Sequence, residues 1–68
     1  MKFNNNRLKL AMANSCLSMG ELASKSGINE VSIRRIINYS ITPRPKTIGK
    51  IAKALDVRVE DLIDMGDI

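Results

Sequence analysis

Gly27 stands between two short runs of helical apolar spacing, and that arrangement constrains the fold more than any other feature of the chain. Before it, Leu22 and Ala23 lie together on one helical face. After it, Ile33, Ile36 and Ile37 form a stripe at the i, i+3, i+4 spacing of a second helix. Glycine takes the left-handed backbone that ends a helix without a Cβ clash. Ile28 follows at once as the expected buried anchor of the turn, and Asn29 supplies a side-chain oxygen to cap what comes next. A short helix, a three- to four-residue turn and a second short helix must cross rather than lie in line. A small residue at Ala23 lets them approach.

The flanking segments supply the faces that such a pair needs. The first helix is expected over about Asn5–Ser15, with Leu8, Ala11, Met12 and Ser15 at helical spacing and an asparagine at its start. Ser18-Met19-Gly20-Glu21 reads as a capping box, in which hydroxyl and carboxylate each accept from the other residue's backbone N–H. The third helix carries Glu30 near its positive end and must stop before Pro43. Pro43-Arg44-Pro45 leads stiffly into a fourth, where Ile48, Ile51, Ala52 and Leu55 repeat and Lys46, Lys50 and Lys53 take the outer face. Val57 leads to a last short helix, about residues 59–65, with Leu62 and Ile63 inward, Asp56 or Arg58 near its start and Gly66 closing it.

The expected fold is therefore all-α: one compact five-helix domain over residues 1–68, with no strand alternation. Phe3 and Tyr39 are the only aromatics, so the core is expected to be aliphatic: Leu8, Leu22, Ile28, Ile33, Ile36, Ile48, Ile51, Leu55 and Leu62. Leu10, Ile37, Ile41 and Met65 are surplus to it; they are either single exposed aliphatics or part of a seam between two copies.

Charge is unevenly distributed. Residues 1–53 hold ten Lys or Arg against Glu21 and Glu30, whereas residues 54–68 hold Arg58 against Asp56, Glu60, Asp61, Asp64 and Asp67. The basic part is either the footprint of a polyanion or charge placed for solubility. There is no histidine, and Cys16 is the lone cysteine, so neither an internal disulfide nor a multi-cysteine metal site is available. Cys16 reads as a small apolar residue near a helix end. No nucleophile has a base beside it in any hydrolase or transferase motif, so no enzyme, cofactor or small-molecule substrate is expected. No apolar run reaches the roughly 18 residues of a membrane span, and no signal-peptide core follows Met1-Lys2-Phe3; a cytoplasmic location is the expectation.

The stretch from Leu17 through Gly27 to Ile28 resembles the first half of the lambda-repressor-like, Cro-type (xenobiotic response element) helix-turn-helix family. Val31-Ser32-Ile33-Arg34-Arg35-Ile36 resembles that family's recognition helix. Pro43 to Val57 is similar to its fourth helix, and Val59 to Ile63 to its fifth. The likeness covers about residues 7–64, with the motif at about residues 18–38. It departs at Met19, where the family commonly has a phosphate-reaching glutamine, at Tyr39, where glycine is common, and at Val31, where a polar base reader is common.

The resemblance implies binding to double-stranded DNA, with the helix at about residues 29–38 in the major groove, which admits one helix. Arg35 is the leading base reader, since arginine bonds bidentately to guanine O6 and N7; the alternative is a solvated helix charge. Arg34 takes base or phosphate. Val31 packs on a thymine methyl or into the core. Glu30 accepts from cytosine N4 or serves the helix dipole. Ser18, Asn29, Ser32, Asn38, Arg44 and Lys46 are candidates for the DNA backbone, against capping, packing or plain surface roles. Arg7 and Lys9 are weaker candidates, and Lys50 and Lys53 read as outer-face charge. The leading expectation is a dimeric bacterial or phage transcriptional repressor. The alternative is a protein-interaction or antitoxin-like module with weak or lost DNA binding.

Overall fold

In the computed structural model, which describes residues 2–39 and 41–64, every helix start has a local chemical cause. Helix α1 (Asn5–Ser15) begins where the Asn4 Oδ1 accepts the amides of Asn6 at 3.0 Å and Arg7 at 3.1 Å. Helix α2 (Met19–Ser26) begins with the Ser18–Glu21 capping box: the Glu21 amide donates to Ser18 Oγ at 3.2 Å and the Ser18 amide to Glu21 Oε1 at 3.0 Å. Helix α3 (Glu30–Tyr39) follows Asn29, whose Oδ1 accepts the Val31 amide at 2.8 Å. Helix α4 (Pro45–Leu55) starts on Pro45, whose missing N–H is no loss in a first turn.

Three of the helices stop in the same way. Cys16, Gly27 and Asp56 take left-handed backbone, at φ 56°, 73° and 57°. The next residue, Leu17, Ile28 or Val57, turns back and packs on the core. The Leu17 amide donates to Met12 O at 3.1 Å and the Val57 amide to Ala52 O at 3.0 Å, the six-residue closure of a Schellman motif. Ile28 is thus half-buried rather than the fully buried anchor expected, because it sits at the rim as the last residue of that closure.

α2 packs against both α3 and α4, and α1 lies against the same two helices. Leu8, Leu22, Ile33, Ile48, Ile51 and Leu62 are fully buried where these elements meet. Ala23, 8% exposed, keeps α2 close to its neighbours. Two side chains tie α1 to the far ends of its neighbours: Asn5 Nδ2 donates to Ile37 O at 3.0 Å, and Ser15 Oγ to Leu55 O at 3.4 Å.

The fifth helix does not form, and four helices are present among the described residues. Val59–Asp61 is a single 3-10 turn, closed by the Leu62 amide donating to Val59 O at 2.9 Å and by Asp61 Oδ2 accepting the Arg58 amide at 3.1 Å. The chain then extends. Strand β2 (Ile63–Asp64) pairs antiparallel with strand β1 (Lys2–Phe3), and the Asn4 amide donates to Leu62 O at 2.9 Å. This corrects the expectation of an all-α chain without strands. It also corrects the purely aliphatic core, because Phe3 is buried beside Ile63. The reason is burial at consecutive positions: Leu62 and Ile63 are both inside, and the N-terminal strand gives the extended backbone its hydrogen bonds. Met65 and Gly66 lie outside the described residues.

Of the surplus apolar residues, Ile37 joins the core, whereas Leu10 and Ile41 remain 64% and 46% exposed. Cys16 lies at the end of α1, as read from the sequence, and is exposed there; its place is set by backbone geometry rather than packing.

Candidate nucleic-acid interface

The α2–α3 turn buries one side of α3 and leaves the other uncovered. Ile33, Ile36 and Ile37 face the core, and Glu30, Val31, Ser32, Arg34, Arg35, Asn38 and Tyr39 are exposed. A helix of about 10–12 Å diameter with side chains matches a major groove about 12 Å wide. An exposed convex helix with donors and acceptors along its face meets the shape requirement for groove entry.

The candidate residues fall into two groups along this face. At the start of α3, Arg34 Nη2 donates to Glu30 Oε2 at 2.9 Å, a half-exposed i, i+4 ion pair. Such a pair contributes about 0.3–0.5 kcal/mol to helix stability. The same carboxylate lies over the beginning of α2: a methyl group on Gly20 would sit 3.2 Å from Glu30 Oε1 and 4.0 Å from Ser18 Oγ. The two helix starts are therefore neighbours, and Glu30 joins them.

Further along, Ser32 and Arg35 of α3 line one open hollow with Thr42, Arg44 and Thr47. Arg35 and Arg44 have no carboxylate partner among the described residues. Two unpaired guanidinium groups beside three hydroxyls make a site with the chemistry to hold a phosphate or a base edge. Ile36, Ile41 and Pro43 complete its lining, so the hollow is mixed in character, and it is open rather than enclosed like the clefts that take small molecules. Thr42 and Thr47 were missed by the sequence reading; their positions flanking Pro43-Arg44-Pro45 were the available signal.

The remaining candidates are less committed. The Ser18 oxygen already caps α2, and Asn29 Oδ1 already caps α3, so both side chains are partly committed to helix starts. Asn38 is exposed at the last turn of α3. Lys46 does not join Arg44 at the hollow; it lines a separate depression with Lys50 and Lys53, because it falls on the outward side of α4. Arg7 is drawn toward the chain end, with its Nε 3.5 Å from Asp64 Oδ1. Asp64 also accepts from Asn4 Nδ2 at 3.2 Å.

The Glu21 carboxyl is held below the ordinary value of 4.5 by hydrogen bonds from the Ser18 backbone and then its hydroxyl. No cluster of acidic or cysteine side chains among the described residues could hold a metal ion, and no helix among them is long and apolar enough to cross a membrane.

Comparison with known families places this geometry. The helix-turn-helix family model matches residues 8–62, which includes all four helices from Leu8 onward and the turn through Leu62. No curated protein and no solved structure matches the chain.

Proposed function

The chain belongs to the helix-turn-helix family of DNA-binding transcription regulators, and from that premise we propose that it binds a specific operator as a dimeric repressor. The whole chain acts as one domain. In this reading α3 enters the major groove. Glu30, Val31, Arg34 and Arg35 face base edges, while Ser18, Asn29, Ser32, Asn38, Arg44 and Lys46 contact the backbone. Repression follows from steric exclusion of polymerase at the bound site.

The observation that carries the reading is the juxtaposition of Arg35 and Arg44 around one open hollow at the edge of the exposed α3 face. A guanidinium on the helix can read guanine bidentately, while one on the following loop holds the phosphate beside it. Arg34 and Val31 add a donor and an apolar surface for a thymine methyl on the same face. A single small domain reads few base pairs, so two copies on a two-fold site supply the specificity and the half-site spacing.

Selection of bound duplexes from a random pool tests this directly. The expected result is a two-fold symmetric motif with half-sites about one helical turn, roughly 34–36 Å, apart. An unsymmetrical motif counts against the dimer, and the absence of any motif counts against operator binding.

A second reading, a protein-interaction or antitoxin-like module, draws support from Tyr39 and Leu10, which are 73% and 64% exposed. Salt separates the two. A phosphate-bound complex weakens steeply as salt rises, and an apolar protein interface does not.

A further inference from the structure

Glu30 is the one acidic side chain on the exposed face of α3, and its two oxygens do different work. Oε2 accepts from Arg34 at 2.9 Å. Oε1 lies over Gly20, where any side chain would press on it at 3.2 Å. The carboxylate thus sits between the positive ends of α2 and α3, where a negative charge is favoured. Glycine early in a helix is less stabilising than alanine; at Gly20 its missing Cβ makes room for the carboxylate. Both partners of the pair stay about half exposed, so their outer donors and acceptors remain open to a ligand.

We infer that Glu30 is a positioning residue for Arg34, and that the seated pair recognises a C·G base pair as a unit. This rests on the reading of α3 as the groove-binding helix. The pairing has two consequences. First, the pair carries no net charge, so Arg34 does not act as an independent phosphate neutraliser. Second, the guanidinium keeps four of its five N–H donors after bonding Glu30 once, and the carboxylate keeps unshared lone pairs. A donor and an acceptor side by side match guanine O6 and N7 next to the cytosine N4 amino group in the major groove. An A·T pair presents the wrong order of groups to such a unit. Arg35, with no carboxylate partner among the described residues, reads its own base separately.

The test compares wild type with Glu30→Ala, Arg34→Ala, the double variant and Gly20→Ala. The probes are a duplex that the wild type selects from a random pool, its single-base substitutions, and a scrambled duplex, each across a salt series. All three positions are at or near the surface, and thermal unfolding of each of the four variants verifies that it is folded. Glu30→Ala is expected to release Arg34 to phosphate. Binding to the scrambled duplex then tightens about five- to tenfold near 0.1 M salt, and the salt slope steepens by about one. Preference for one C·G pair falls about tenfold. Arg34→Ala loses the same preference, and adding Glu30→Ala to it changes neither preference nor slope. Gly20→Ala keeps both charges and displaces Glu30 Oε1 by only a few tenths of an ångström, so it is the control that retains the preference at that base pair.

Effects of Glu30→Ala that persist in full without Arg34 overturn the pair, because they mark Glu30 as a lone repelling charge. Unchanged base preference in Glu30→Ala overturns it as well. A wild type that selects no duplex removes the groove-binding reading and this inference with it. Selection by the wild type with Arg34-independent effects removes this inference alone.

Discussion

Cys16 and Asp56, forty positions apart in the chain, hold the same left-handed backbone one residue past the ends of α1 and α4. Gly27 holds it at the end of α2. Only the glycine does so without the strain of a Cβ against the following carbonyl. Asparagine and aspartate visit this region more readily than most residues, so Asp56 is the less strained of the other two.

Cys16→Gly is therefore expected to stabilise the protein by up to about 1 kcal/mol, and Asp56→Gly by less. For a domain of this size a 1 kcal/mol gain is about 4–8 °C in thermal midpoint. Gly27→Ala is expected to lose about 1 kcal/mol through backbone strain alone, since nothing lies within 4 Å of the added methyl. A Cys16→Gly protein that melts below wild type would show that the thiol makes a contact worth more than the strain.

The Ser18–Glu21 capping box predicts a pH dependence. The folded carboxyl of Glu21 titrates below its ordinary value of 4.5 because Ser18 donates to it. A depressed carboxyl favours the folded state above the ordinary value, and that contribution fades as pH falls through the folded one. Glu21→Gln keeps an acceptor but removes the charge. The gap in thermal midpoint between wild type and Glu21→Gln is expected at neutral pH and should close under acid conditions below about pH 4.5. A gap independent of pH would place its origin elsewhere. Ser18→Ala should cost about 0.5–2 kcal/mol at neutral pH, the usual loss for an N-cap.

Phe3 tests the strand pair. It is 8% exposed and faces Ile63 across β1 and β2. Phe3→Ala should cost about 3 kcal/mol or more, as aromatic truncations in cores do. Denaturant titration measures it. If residues 59–65 formed a helix instead, with the N-terminus loose, the substitution would be nearly neutral.

Arg35 and Arg44 share a hollow but are assigned different tasks, and the two substitutions separate them. Arg35→Ala should cost about 1–3 kcal/mol on a selected duplex and relax one base position. Arg44→Ala should weaken binding to every duplex alike and reduce the salt slope by about one. Uniform weakening by both would demote Arg35 to a phosphate contact.

Much of this protein was legible residue by residue. The capping box at Ser18 and Glu21, the stop at Gly27, the cap at Asn29, the start at Pro45 and the isoleucine stripe of α3 all follow from hydrogen bonds and side-chain spacing within one helical turn. The family resemblance over about residues 7–64 rests on the same short-range pattern. The surface helix and its exposed arginines came with it, because a stripe buried at Ile33, Ile36 and Ile37 leaves Arg34 and Arg35 no other side to occupy.

Other features depended on where whole elements come to rest. The bond from the Asn4 amide to Leu62 spans most of the chain, and it turned an expected fifth helix into a turn and a strand. Arg44 meets Arg35 only because α4 docks on α2 and brings its leading loop to the edge of α3. Glu30 reaches Gly20 only because two helix starts lie side by side. Short-range spacing dictates which face of a helix is apolar. It carries no information about which distant backbone will satisfy an exposed amide, or which carboxylate will fill the space left by a missing Cβ, because those are settled when the helices pack.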